Sequence, residues 1–181
     1  MKLEYPLDKF IKVREEVLNN WKSIGDEFIF WTPPTSNIIG YDLFNWKDDR
    51  FEYTYDLINQ IKKNKLVHSI IMYVYNPFSR TAFHFDISPF RYVFPIVSNE
   101  MCFNYEMKNK ESYNGIDDRF FDIDSLNKLD KFNQQFVKEG NSITNWKENQ
   151  HYLIGPNFHA HLNFSNNYRI ALVIDNKESL I

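Results

Sequence analysis

Cysteine is nearly absent: Cys102 stands alone among 181 residues, so no internal disulfide can form and nothing points to an oxidising compartment. The expected location is cytoplasmic. No apolar run reaches the roughly 18 residues that a membrane-spanning helix requires, and no membrane partner is expected. The opening residues, MKLEYPLDKF, mix charge into their first turns and lack an apolar signal-peptide core. Positive charge is not in excess either. With 21 Lys and Arg against 24 Asp and Glu, the net charge is −3. Nucleic-acid affinity rests on clustered cations, so no nucleic-acid partner is expected. Internal repeats and low-complexity tracts are missing as well.

What is present is a folded, aromatic-rich chain. Hydrophobic residues make up 43% and charged residues 25%, which separates it from disordered sequences. Aromatics reach 18%, with 17 Phe and 11 Tyr, and such residues favour pleated, half-buried surfaces. The length suits one domain over 1–181, with a helical N-terminal part (about 1–66) and a β-rich core (about 67–176). Leu7, Phe10, Ile11, Val17, Leu18 and Trp21 recur at helical spacing. The segment from Phe28 to Asp49 breaks that pattern, and Thr54 is placed to cap a second helix running to about Lys65. From Val67 the period shortens: VHSIIMYVYN, TAFHFD, FRYVFPIVS and MCFNYEMK read as strands. The polar stretch Asn109–Asn149 includes a helix expected over 124–138, ending before Gly140. QHYLIG, HAHLNF and YRIALVID close the chain as strands. Helices followed by about seven strands fit a mainly β chain with flanking helices, a cupin-like jelly roll (double-stranded β-helix), whose open mouth suits a ligand.

His84 and Asp86 lie two apart in TAFHFD, so on a strand they share a face and can converge on one ion. A non-haem iron site needs two His and one carboxylate on one side of the metal. His159 and His161, which share a strand face in FHAHLNF, are both candidates for the third ligand. Alone, His84-Phe85-Asp86 reads equally as a strand with an ordinary His–Asp hydrogen bond. Arg169 opens an apolar strand, where a buried cation needs an anion; it could equally pair with a surface carboxylate at the strand entrance. Cys102 is read as a small buried hydrophobe, His68 and His151 as surface or strand-end residues. The four tryptophans are read as core or mouth-lining.

The combination resembles a known signature. His-x-Asp, then about 70 residues later a His, then ten residues on an Arg, is similar to the pattern of iron(II)/2-oxoglutarate-dependent oxygenases. The finer likeness is to their aspartyl/asparaginyl β-hydroxylase-like branch. It rests on His159, AHL, Asn163, FSNNY, Arg169 and IALVID ending at Asp175, together with PFRYVFPIVSN (Pro89–Asn99), and spans about Val67 to Asp175. Val93 and the position of Pro156 depart from the branch's pattern without touching a ligand.

The resemblance implies a double-stranded β-helix dioxygenase that uses Fe(II), with 2-oxoglutarate as co-substrate. It would hydroxylate an unactivated C–H bond of a peptide or protein residue, or of a free amino acid, using O2. It further implies that His84, Asp86 and His159 hold the metal and that Arg169 binds the far carboxylate of 2-oxoglutarate. Arg91 would contact co-substrate or substrate. Spacing to Arg169 and Asn163 favours His159 over His161. The rival expectation is a non-catalytic cupin-like module that binds a small molecule.

Overall fold

The structure, a computed structural model, describes residues 5–31, 37–86, 88, 90–108, 118–154 and 158–177. In chain order these form α1 (Leu7–Asn20), β1 (Ile29–Trp31), β2 (Ile38–Asp42), α2 (Glu52–Lys62), β3 (Val67–Tyr75), β4 (Phe90–Val97) and β5 (Cys102–Met107). Then follow the short α3 (Asp118–Phe121), α4 (Leu126–Lys138), β6 (Ser142–Asn145), β7 (Tyr152–Ile154), β8 (Phe158–Asn163) and β9 (Arg169–Asn176). A six-stranded sheet runs β1-β2-β3-β9-β4-β7 and a three-stranded sheet runs β6-β5-β8, with every pairing antiparallel. The result is a double-stranded β-helix, or jelly roll, with flanking helices. Among the described residues no helix is long and apolar enough to cross a membrane.

Strand β9 explains the layering. Ile170, Leu172 and Ile174 join the core that also contains Phe10, Val13 and Val17 of α1 and Leu57, Ile58 and Ile61 of α2. The alternate residues Ala171 and Val173 join a second cluster with Trp146 and Ile154 on the opposite face. A strand covered on both faces reads as a continuous apolar run, which is why IALVI shows no polar alternation. A third cluster, built from Tyr105, Phe120, Phe132, Phe136 and their neighbours, packs α4 against the smaller sheet.

Helix boundaries follow local chemistry. The inward stripe of α1 is Phe10, Val13 and Val17, while Leu7 and Ile11, expected to pack, are exposed. Helix α2 begins at Glu52 rather than at Thr54, because its N-terminus is capped from outside. Glu16 of α1 accepts from the Tyr53 and Thr54 amides at 2.9 and 2.8 Å and from the Thr54 hydroxyl at 2.9 Å, satisfying donors that a local cap would otherwise serve. Helix α4 stops where Gly140 adopts φ +85°, as expected for a left-handed terminator.

Strands β1, β2 and β6 were not anticipated. β2 is interrupted by Gly40, whose lack of a side chain leaves room for Tyr73 across the ladder: a Cβ there would lie 2.8 Å from the Tyr73 ring. TAFHFD, expected as a strand, makes only isolated bridges to β8, at Arg80↔Leu162 and His84↔His159. Four residue steps on one side face three on the other, so one extra residue is accommodated, as in a β-bulge. Such bulges re-aim side chains near functional sites.

Candidate functional site

The bulged segment and β8 meet at one end of a cavity of about 640 Å³ between the sheets. His84, Asp86 and His159 line it, and one ligand atom from each lies within 4.8 Å of the others. His84 Nε2 is 3.8 Å from Asp86 Oδ1, and His159 Nε2 is 3.3 Å from Asp86 Oδ2. An ion about 2.1 Å from each ligand has neighbouring ligands roughly 3 Å apart, so the three side chains would draw together to coordinate one, the two distances to Asp86 being the nearer to that spacing. The His84 Nδ1 lies 2.8 Å from the Ala82 carbonyl. A carbonyl can only accept, so Nδ1 is the donor there, and Nε2 is the ring atom turned toward Asp86 and placed to meet a metal.

The donor set fits a divalent metal. Asp86 Oδ2 is buried without a hydrogen bond, a costly state for a carboxylate oxygen that a cation would relieve. The side chains of Asp86 and His159 are 5% and 1% exposed, against 39% for His84, so the cluster opens to the cavity on the His84 side. His161, the rival third ligand, is not part of this grouping. Its ring lies 5.1 Å from Trp146 and 6.0 Å from Tyr75. Burial, reinforced by the nearby Arg169 charge, holds its imidazole neutral, well below the ordinary histidine range.

Arg91, expected to contact co-substrate or substrate, lines the cavity and is held there by two carboxylates. Its Nε and Nη2 donate to Asp175 at 2.7 and 2.9 Å, and Nη1 donates to Asp86 Oδ1. The pairing follows from register, since Arg91 and Asp175 are direct cross-strand partners. A bidentate fork with the third nitrogen on the metal-facing carboxylate is a rigid arrangement.

Arg169 is 1% exposed, and among the described residues it has no carboxylate partner. Its guanidinium lies between the rings of Tyr75 and Trp146, 5.0 and 5.1 Å from their centroids. It donates one long bond, 3.4 Å, to the Phe103 carbonyl, and its Nε has no partner. Cation–π contacts offset about 2 kcal/mol, whereas burying a charge costs several, so an anion is missing from the account. Arg169 stands behind the cavity wall formed by Tyr75 and His161.

Asn163 ties this region together. Its amide nitrogen lies 3.4, 3.0 and 2.8 Å from the carbonyls of Tyr75, Asn76 and Asn167, and its oxygen accepts from Ser165, which fixes the β8–β9 turn that launches Arg169. Cys102 is buried as expected, with Sγ 3.5 Å from Asn163 Oδ1. Trp21, Trp46 and Trp146 are buried; the side chain of Trp31 lies outside the described residues.

No protein-family model matches the sequence, and no curated protein matches it. Solved structures do. A prolyl-4-hydroxylase from Pseudomonas putida superposes with a TM-score of 0.52, covering 98% of this chain and 91% of that one at 9% identity. The fold is shared with a hydroxylase. AviO1 from Streptomyces viridochromogenes Tue57 gives a TM-score of 0.57, covering 98% of this chain and 87% of its own at 7% identity. At such identities the likeness concerns the fold, and the reading of the site rests on its own residues.

Sequence reasoning missed three participants. Asp175 was noted as the end of an apolar run and not as Arg91's partner. Trp146 was not connected with Arg169. Arg80, which lines the cavity, carries a signal that was legible: residues 80, 82, 84 and 86 alternate at the spacing that puts them on one strand face.

Proposed function

We propose that this protein is an Fe(II)- and 2-oxoglutarate-dependent dioxygenase, in which His84, Asp86 and His159 hold the metal and Arg169 binds the far carboxylate of 2-oxoglutarate. One observation carries the reading: a two-His, one-carboxylate cluster shares its barrel with a buried arginine that has no anionic partner among the described residues. Either feature alone has ordinary explanations. Together they match what this co-substrate requires, a metal for one end of a dicarboxylate and a desolvated cation for the other.

Iron(II) held in this way, with 2-oxoglutarate and O2, supplies oxidative decarboxylation to succinate and CO2 coupled to hydroxylation of an unactivated C–H bond. The protein's share is positional. Arg91, anchored on Asp175, orients Asp86, and the Ala82 carbonyl fixes the tautomer of His84. To meet Arg169, the far carboxylate of the co-substrate would have to pass Tyr75 and His161, which line the cavity in front of it. Burial pushes the Tyr75 phenol above its ordinary range, so it stays protonated. Apolar walls at Val173, Ile154 and Ile38 exclude water from the reacting centre.

The test is anaerobic titration of the iron(II)-loaded protein with 2-oxoglutarate, following the weak visible charge-transfer band of the chelated co-substrate. A saturable band, lost in Asp86→Ala, is expected. Absence of the band in folded, iron-loaded protein overturns the assignment and favours a barrel that binds a small molecule without turnover.

A further inference from the structure

Arg80 is a second cation on the cavity wall, besides Arg91. Its Nη1 donates to the Phe120 carbonyl and its Nη2 to the Ile123 carbonyl at 2.7 Å, while its plane lies 5.8 Å from the Phe120 ring centre. These contacts pin the end of α3, and with it Phe121, beside the cavity. They use two of five N–H donors, and among the described residues no carboxylate pairs with the group. Burial lowers its pKa and outweighs the opposing influence of Tyr105 and Asp124, as expected for a desolvated cation whose nearest negative groups offset it only in part.

The other charges at the cavity are spoken for. Arg91 is engaged by Asp86 and Asp175. With a divalent ion on Asp86 and dianionic 2-oxoglutarate on Arg169, the charges of these four protein groups, the metal and the co-substrate cancel. Arg80 is then left as a further positive charge on the cavity wall, in ion-pair contact with no carboxylate among the described residues. Among the described residues that line the cavity Asp86 is the one carboxylate, and it is already engaged, so these residues offer no free carboxylate to an ammonium group. Two cavity-lining aromatics, Phe30 and Phe121, remain 61% and 45% exposed, as walls for an apolar body would be.

We propose that the cavity takes as substrate a monoanionic carboxylic acid with an aryl or alkyl body and no charged amine, its carboxylate on Arg80 and its body against Phe30 and Phe121. This deepens the oxygenase reading and rests on it for treating the cavity as the substrate chamber. It also narrows that reading, since a free amino acid carries an ammonium group for which the described cavity-lining residues offer no free carboxylate.

The experiment compares three probes of one carbon skeleton, 3-phenylpropionate, 3-phenylpropionamide and L-phenylalanine, together with the pair octanoate and octanamide. Binding is measured by calorimetry on the metal-free protein, then on anaerobic iron(II)-loaded protein saturated with 2-oxoglutarate. An acid is expected to bind at least about tenfold more tightly than its amide, the ratio for a hydrogen bond to a charged group, and 3-phenylpropionate to outcompete L-phenylalanine by a similar factor. Arg80→Gln should collapse the acid-over-amide ratio to near one. Arg80→Lys loses the same fork to the α3 carbonyls but keeps the charge, and should retain the preference, which separates recognition from damage to α3. Failure of both acids to bind, equal binding of acid and amide, tight binding of L-phenylalanine, a preference that survives Arg80→Gln, or displacement of the acids by 2-oxoglutarate each overturns the proposal. Loss of the charge-transfer band with acid binding intact would instead overturn the oxygenase reading and leave the anion site standing.

Discussion

Asp175→Asn removes one negative charge next to the metal cluster and nearly preserves side-chain shape. Asp175 takes two hydrogen bonds from Arg91, whose third nitrogen reaches Asp86, so the two carboxylates and one guanidinium carry a net charge of minus one that attracts a cation. Without the Asp175 charge this sum falls to zero, and the full charge of Arg91 falls on Asp86, competing with the metal for its electrons. Removing a partner that orients a ligand costs about 10- to 100-fold in metal affinity. At a fixed excess of metal this subtracts roughly 1.4 to 2.7 kcal/mol from the stabilisation the metal confers. The metal-free protein should also weaken, by about 3 kcal/mol, the lower end of the range for breaking a buried ion pair, because Asp86 still faces Arg91. Two measurements check this: competition for Co(II) or Fe(II) with a fluorescent chelator, and urea unfolding with and without metal. A folded Asp175→Asn protein that binds metal as tightly as the parent refutes the role given to the Asp175–Arg91–Asp86 chain.

Three further outcomes are expected. Arg169→Met should leave the ligand-free protein at least as stable, since it replaces an unpaired buried charge with an apolar chain, and it should weaken 2-oxoglutarate binding by about 10- to 100-fold with metal affinity unchanged. Loss of stability together with unchanged 2-oxoglutarate affinity would contradict both halves. Phe136→Ala, in a cluster where its ring lies 5.4 Å from both Tyr105 and Phe132, should cost about 3–5 kcal/mol in urea unfolding. Asp56 is held below the ordinary carboxylate range, chiefly by the hydrogen bond from Lys9. A depressed carboxylate stabilises the fold above its unfolded pKa and loses that contribution as pH falls through the folded value. Asp56→Asn should therefore cost less than about 1 kcal/mol at neutral pH, the pair being exposed, and the difference should vanish in acid.

Much of the fold was legible because burial enforces period. Strands β3, β4, β5, β8 and β9 stand where alternating or continuous apolar runs are read. Helices α1, α2 and α4 follow their stripes, with ends shifted where a partner intervenes, as Glu16 does at α2. The strands that escaped are short or polar. β1 has three residues, β6 is Ser-Ile-Thr-Asn without a buried residue, and β2 carries a glycine chosen by the Tyr73 ring across the ladder. None of these causes is local, so none leaves a pattern within its own segment.

The site was legible for a different reason. Two-residue spacing reads His84 and Asp86 as sharing a face, and both do line the cavity although their segment is not a regular strand; the same period explains β9, where Arg169 and Asp175 are six residues apart and so point the same way as Ala171 and Val173. The bulge before His84 and the Arg91–Asp175 register were not readable, because both depend on which strand lies alongside. Strand β9 thus does two things at once. Its even-numbered residues from 170 to 174 bind the sheet to the helices, and its odd-numbered residues supply the buried cation and the carboxylate that anchors Arg91. A slip of one residue in its pairing would turn Arg169 and Asp175 into the helical core and Ile170 and Leu172 toward the cavity. The apolar packing of Ile170, Leu172 and Ile174 therefore sets the geometry of the candidate site: the core that stabilises the chain is also what fixes where Arg169 and Asp175 point.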